Sequence, residues 1–231
     1  MRRVSRVVES IAPARLGHSF RWLLGSSWVS NIGDGIGLAA GPLLVASQTR
    51  DPLLVAAAGL LQRVPWLLFG LYAGVVADRH DRRLVVVTVD LMRAAVLAAL
   101  SIMIATDTVN VTVVLVAMFV LGTAETFADT TTHTLLPMLI APTDLGVGNA
   151  RLMLGFITAN QLAGPPIGAA LFALGMGWPF VTQATCVGLG AVLMSRIAAS
   201  KPLATDAHPP ARRQIVEGLR WLWHHAAMRT L

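Results

Sequence analysis

The run Leu84–Ala105 reads LVVVTVDLMRAAVLAALSIMIA, 22 residues that are largely apolar apart from two charged side chains, Asp90 and Arg93. An α-helix needs about 20 such residues to cross the hydrocarbon core of a bilayer. A single segment in lipid satisfies its backbone hydrogen bonds by forming a helix. The run therefore predicts a transmembrane helix.

Similar windows on both sides of this run predict five more spans. They are Arg21–Ser47, Pro52–Ala77, Val111–Leu139, Gly148–Leu174 and Trp178–Ala198. Charged residues make up 13% of the 231 residues, about half the usual share in soluble domains, and the mean hydropathy is +0.66. We therefore expect an all-α, integral membrane bundle of six helices at 21–199. A basic cytoplasmic leader at 1–20 would precede it, and a linker with an amphipathic helix at 200–231 would follow it.

The basic residues are distributed unevenly between the two sets of predicted loops. Fifteen of the 18 Lys and Arg residues fall on one side, Arg50 stands alone on the other, and Arg63 and Arg93 lie within spans. The positive-inside rule then predicts that both termini lie in the cytoplasm. We expect a multi-pass protein of the plasma (inner) membrane. Topology explains the net charge of +6, so no nucleic-acid partner is expected.

Two segments have distinctive spacing. The loop between spans two and three reads GVVADRHDRR, residues 74–83, and the fifth span contains Gly-Pro-Pro-Ile-Gly at 164–168, preceded by Gly155. Small residues let helices approach closely, proline breaks the backbone hydrogen-bond ladder, and arginine binds carboxylates in a fixed fork. The residues concerned are Gly74, Asp78, Arg79, Arg82, Arg83, Gly164, Pro165, Pro166 and Gly168.

These segments resemble signatures of the major facilitator superfamily (MFS). The stretches 28–34, 63–66, 90–93 and 135–137 are similar to its enterobactin-exporter and macrolide-efflux branch. The resemblance covers residues 21–231 and implies the N-terminal six-helix half of a 12-helix fold. It implies that the loop at 74–83 acts as a latch, holding the two halves of the transporter together in one conformation. It also implies that the 164–168 motif belongs to an exporter. One departure is Asp81, where the family pattern usually has glycine.

Charged side chains inside the spans are candidate site residues, because each costs about 2.5–3.5 kcal/mol at the centre of a membrane helix. They include Asp34, Arg63 and Glu125, with Asp129 one turn beyond Glu125. The resemblance implies that spans one and four line a central cavity, where these carboxylates exchange protons and Arg63 is their counter-charge. A structural ion pair is the alternative.

A second pair of intramembrane charges lies in span three. Asp90 and Arg93 are one helical turn apart and are expected to pair with each other. They lie within about two to three helical turns of Arg82 and Arg83. This proximity suggests that all four residues belong to one structural network around the latch loop.

The implied function is proton-coupled efflux of an amphipathic small molecule, drug or siderophore-like, by alternating access of two bundles. The chain is expected to end where a second half would begin, so its partner would be that C-terminal half or another copy. No catalytic motif such as HExxH, GxSxG or a P-loop occurs, and neither an enzyme activity nor a cofactor or metal is expected. Two alternatives remain open: a homo-oligomeric six-helix channel or scaffold, and a membrane-embedded enzyme.

Overall fold

The computed structural model of the chain describes residues 14–197, and every regular element within that range is a helix. The predicted all-α class is confirmed. The elements, after a short 3-10 turn at Ala14–Leu16, are α1 Gly17–Gln48, α2 Pro52–Arg79, α3 Arg82–Ala105, α4 Val111–Leu139, α5 Leu145–Gly155, the π-helix π1 Phe156–Ala163, α6 Gly164–Leu174 and α7 Trp178–Met194.

Helices α1 to α4 are each long and apolar enough to cross a membrane. The fifth predicted span corresponds to α5, π1 and α6, which follow one another without a break, and the sixth corresponds to α7. Helix α1 begins at Gly17, within the segment predicted as the leader, and Phe20 is fully buried. The remainder of the leader and the linker with its amphipathic helix lie outside the described residues.

Polar side chains define where three of the spans begin. Asp51 accepts a hydrogen bond from the Leu53 backbone N–H at the start of α2, and Asn110 accepts one from the Val113 N–H at the start of α4. Asp81 caps α3 in the same way. Such caps satisfy N–H groups that have no partner within the helix and contribute about 1 kcal/mol each.

Helix α1 packs against more of the bundle than α2 or α3 does. Helix α1 contacts α7, α6 and π1, while α2 packs mainly on α4, and α3 packs on α4 and α7. Helix α2 contributes little to the interior, and its Leu67 side chain is 88% exposed. The end of the bundle that carries the α2–α3 loop, the α4–α5 loop and the start of α1 is called the basic end below.

Two apolar clusters fill the interior, one towards each end of the bundle. The cluster at the basic end includes Phe20 and Leu135, and the cluster at the opposite end includes Leu44 and Phe180. Buried polar side chains occupy the level between them. These are Asp34, Asp90, Arg93, Thr126 and Asn160.

Glycines bring α1 and α6 into backbone contact. A Cβ atom on Gly35 would lie 2.5 Å from the Asn160 carbonyl oxygen and 2.9 Å from the Gly164 Cα. A Cβ on Gly164 would in turn overlap the Gly35 backbone, and one on Gly168 would overlap the backbone of Ile36. The close approach predicted for the fifth span is therefore present, and α1 is the helix it approaches.

The π-helix π1 has a local cause. Pro165 and Pro166 at the start of α6 have no N–H to donate, and a proline ring collides with the carbonyl group four residues earlier. Widening the preceding turn, Phe156–Ala163, relieves that collision. The membrane segment is thus continuous but irregular at its middle.

Substituting the contact glycines should destabilise the fold. Gly35→Ala and Gly164→Ala should each lower the thermal unfolding temperature of the purified protein, because overpacking costs about 1–3 kcal/mol. The matched controls are Gly59→Ala and Gly70→Ala on α2, where a Cβ meets nothing within 4 Å. These should be neutral or stabilising, since alanine favours a helix by about 1 kcal/mol. An equal response in both pairs would contradict the assigned contact.

Candidate functional site

A buried ion-pair triad joins α1 to α3 at the polar level. The Arg93 guanidinium donates through Nη1 to the Asp90 Oδ1, at 3.1 Å, and through Nη2 to the Asp34 Oδ1. Arg93 is 2% exposed, and both carboxylates are buried. Charges in such a place are tolerated when they are paired and hydrogen-bonded. The triad therefore fixes the position of α1 against α3.

This arrangement differs from two expectations. The counter-charge expected for Asp34 was Arg63, but the structure pairs Asp34 with Arg93. Asp90 and Arg93 do pair one turn apart, yet their further partner is Asp34 rather than the loop arginines. The reason is rotational: α3 presents Arg93 to the interior, whereas Arg63 on α2 is exposed.

Three of the predicted intramembrane charges share a cavity of about 190 Å³. Glu125 and Asp129 reach it from successive turns of α4, and Arg63 reaches it from α2. The other lining residues come from α1, α2 and π1, and they are Leu38, Gln62, Trp66, Phe156 and Asn160. The cavity thus combines charges of both signs with two aromatic rings.

A second cavity of about 150 Å³ continues towards the basic end. It shares Trp66, Asp129 and Phe156 with the first cavity, and it adds Asn31 of α1 and the exposed His133 of α4. Asp129 therefore lines both cavities. Within residues 14–197, no group of three His, Cys, Asp or Glu side chains is placed to hold a metal ion.

The predicted latch loop at 74–83 is mostly helical, because α2 continues to Arg79 and α3 begins at Arg82, and the segment has its own local bonds. Asp78, which is 60% exposed, accepts a hydrogen bond from Arg82 Nη2 at 2.9 Å. Asp81, the departure from the family pattern, caps α3 by accepting from the Arg83 and Leu84 N–H groups at 3.0 and 3.4 Å. It therefore has a structural use of its own.

The expected role of Gly74 is not seen. A Cβ on Gly74 would meet nothing within 4 Å, so no described helix approaches it. Close packing at a glycine occurs instead at other positions, among them Gly164 and Gly168. Of the two prolines of that motif, Pro165 is half-buried and Pro166 is exposed.

Sequence reasoning missed several uncharged residues of the site. Gln183 of α7 is buried with its side chain beside Asp34, and Asn160 of π1 is buried at the cavity wall. A polar amide within an apolar span is a detectable signal, because burying it unpaired is costly. Trp66 and Phe156 gave no such signal, since aromatic residues are ordinary in membrane helices.

The triad predicts an unequal response to two neutralising substitutions. Arg93→Gln leaves two buried carboxylates without their cation and should cost about 3–5 kcal/mol of stability. Asp34→Asn should cost less, because Asp90 still pairs with Arg93. Thermal unfolding of the purified variants measures both, with the exposed Arg196→Gln as a control for lost charge. A larger loss from Asp34→Asn than from Arg93→Gln would contradict this account.

Comparison with known proteins adds a family. A family model described as a transmembrane secretion effector matches residues 8–230. Among curated relatives, the chain is 27% identical to the multidrug efflux pump Tap of Mycolicibacterium fortuitum, over 90% of the chain and 53% of that pump. It is 28% identical to Tap of Mycobacterium tuberculosis, over 90% of the chain and 52% of that protein.

Macrolide efflux protein A of Streptococcus pyogenes is a more distant relative. It is 24% identical over 65% of the chain and 36% of its own length. The chain thus spans about half the length of the Tap pumps it matches. Because the family model matches nearly all of the chain, and because the fold is an all-α bundle with four helices long enough to span a membrane, the chain belongs to the transmembrane secretion effector family of MFS transporters.

Proposed function

We propose that this chain forms the proton-handling bundle of an efflux transporter for amphipathic small molecules, and that it acts as a transporter and not as an enzyme. The observation that carries the proposal is the shared cavity in which Glu125 and Asp129 stand beside Arg63. The relatives are named as multidrug and macrolide efflux proteins, which supports the direction of transport and the substrate class.

The charge balance of the site favours proton exchange. Asp34, Asp90, Glu125 and Asp129 face two arginines, Arg63 and Arg93, so the cluster would carry an excess of two negative charges with every carboxylate ionised. Excess like charge in a poorly solvated place is relieved by binding protons or a cation. Arg93 already engages Asp34 and Asp90. The exchangeable sites are therefore Glu125 and Asp129.

The proposed cycle uses the two cavities in sequence. Asp129 lines both of them, so a proton entering or leaving at the level of His133 reaches Glu125 through Asp129. Trp66 and Phe156 offer apolar surface to the non-polar part of a substrate. Protonation lowers the negative charge that the substrate meets, so binding of a proton and of a cationic or hydrogen-bonding substrate compete. Competition of this kind couples proton entry to substrate exit.

Substituting the cavity carboxylates tests the proposal. Glu125→Gln with Asp129→Asn should abolish pH-driven efflux of erythromycin from an efflux-deficient host expressing the full reading frame, while binding of erythromycin partly survives. Asp107→Asn is a matched control, because Asp107 is exposed in the α3–α4 loop far from the cavity. Efflux that stays pH-dependent in the double variant would overturn proton handling by these residues. A pH-independent leak of small ions would favour a channel instead.

We also propose that the basic end of the bundle faces the cytoplasm and that the membrane is the plasma (inner) membrane. Fifteen of the 18 basic residues lie in the termini, loops and helix ends that the predicted topology places on that side, and Arg50 alone lies on the other. Reporters fused after Arg83 and after Asp51 would give opposite signals in this orientation.

The latch role of the loop that contains Gly74, Asp78, Arg79, Arg82 and Arg83 is a further part of the proposal. Asp78 is exposed and its bond to Arg82 lies at the surface, where such pairs contribute at most about 1 kcal/mol. An exposed carboxylate with little structural value is available to a second bundle. Its contact would then exist in one conformation of the transport cycle and not in the other.

Two asparagine substitutions in this loop separate the latch from the helix cap. Asp78→Asn should reduce efflux several-fold without lowering the unfolding temperature. Asp81→Asn is the matched control, since asparagine also caps helices well, and it should leave both quantities near their original values. Normal efflux from Asp78→Asn, or an equal loss from Asp81→Asn, would remove the latch from the proposal.

A further inference from the structure

Arg93 of α3 forms both buried ion pairs of the triad. Its two Nη atoms are engaged by Asp34 and Asp90, whereas its Nε atom is buried and has no hydrogen-bond partner. Helix α3, which carries Arg93, packs on α4, which carries the cavity carboxylates Glu125 and Asp129. Its partner Asp34 lies one turn of α1 from Leu38, which lines the cavity. The guanidinium is therefore within electrostatic reach of the cavity carboxylates. One cation is therefore shared by carboxylates of α1, α3 and α4.

We infer that Arg93 is a positioning residue that couples the charge of the cavity to the ion pair that joins α1 to α3, an inference that rests on the proposed function. With Glu125 and Asp129 charged, their attraction competes with that of Asp34 and Asp90 for the guanidinium. When a proton or a bound cation neutralises Glu125 and Asp129, this competition ends and Arg93 interacts with Asp34 and Asp90 alone. The ion pairs therefore tighten when the cavity is neutral and loosen when it is charged.

The other groups around Arg93 are poorly placed for this role. From α7, the buried Gln183 is neutral and lies beside Asp34, and Cys186 packs against α1 at Gly33. From α2, Arg63 lines the cavity beside Glu125 and makes no described ion pair with Asp34 or Asp90. Within residues 14–197, Arg93 is thus the cation that reaches both sets of carboxylates.

The chemistry of arginine suits a shared cation. Its planar fork presents donors in several directions, keeps its charge, and can exchange one acceptor for another without leaving its place. The Nε–H group has no partner, so it is available to donate a hydrogen bond when the acceptors exchange. A lysine would keep the charge but would lose the fork. A purely structural Arg93 would fix α1 to α3 and would be indifferent to the charge of the cavity.

The test measures protonation directly and does not require transport. Infrared spectra of the purified protein in liposomes are recorded across a pH series, and the carboxylic acid C=O band that Glu125→Gln with Asp129→Asn removes gives the titration of the cavity. Removing the positive charge by Arg93→Gln should move its midpoint to higher pH by about one unit. A unit charge several ångströms away has an effect of that size at an effective dielectric near 20.

Two further variants keep the test decisive if Arg93→Gln does not fold. Asp34→Asn removes a negative charge from the same network and should move the midpoint to lower pH. Arg93→Lys keeps the charge, so its midpoint should stay close to the original. Shifts of opposite sign in the Gln and Asn variants, with none in the Lys variant, support the coupling. An Asp34→Asn midpoint equal to that of the exposed control Arg196→Gln overturns it.

Failure of this inference is distinguishable from failure of the proposed function. A protein whose cavity band responds to Asp34→Asn but that exports no erythromycin retains the coupling and loses the efflux assignment. A protein that exports erythromycin with an unshifted band retains efflux, and Arg93 is then a structural cation alone.

Discussion

The fold depends on the neutralisation of Arg93 by Asp34 and Asp90 at mid-height in the bundle. Each of these charges by itself would oppose the insertion of its helix by several kcal/mol, and their pairing removes most of that cost. Because the guanidinium is a rigid fork, the pairing also sets the depth and the rotation of α1 against α3. The apolar clusters above and below then pack in a register that the charges have fixed.

Helix α1 is held from two other directions as well. Gly35 brings its backbone against α6, and a Cβ on Gly37 would lie 2.6 Å from the Gln183 side chain of α7. Such contacts leave no space for α1 to slide without separating several neighbours at once. Helix α2, by contrast, is largely exposed, and π1 is irregular in its backbone. These two elements contribute Trp66 and Phe156 to the cavity wall.

The spans could be predicted from the sequence because they follow from composition and length, which act locally. The predicted starts of α2 and α4, at Pro52 and Val111, agree with the structure, whereas α3 begins at Arg82 instead of Leu84. The partners of the buried charges could not be predicted, because they depend on how each helix is rotated, and hydropathy carries little rotational information in helices that are apolar on most sides. Arg63 and Arg93 look alike in the sequence, yet one is exposed and the other buried. The π-helix could be predicted only in part. Pro165 and Pro166 indicated that the helix is irregular at this point, but they did not indicate which kind of irregularity it has.

The two halves of the polar level differ in a way that bears on transport. Around Arg93 the charges are buried and paired, so they need no water. Around Arg63 the arginine is exposed, although it lies in a segment of membrane-spanning length. A charge there cannot face lipid at acceptable cost, so it must face water or another protein surface. In the proposed function, water at this place would hydrate Glu125 and give protons a route to it. The same opening that makes the cavity costly in lipid would then serve the proposed proton exchange.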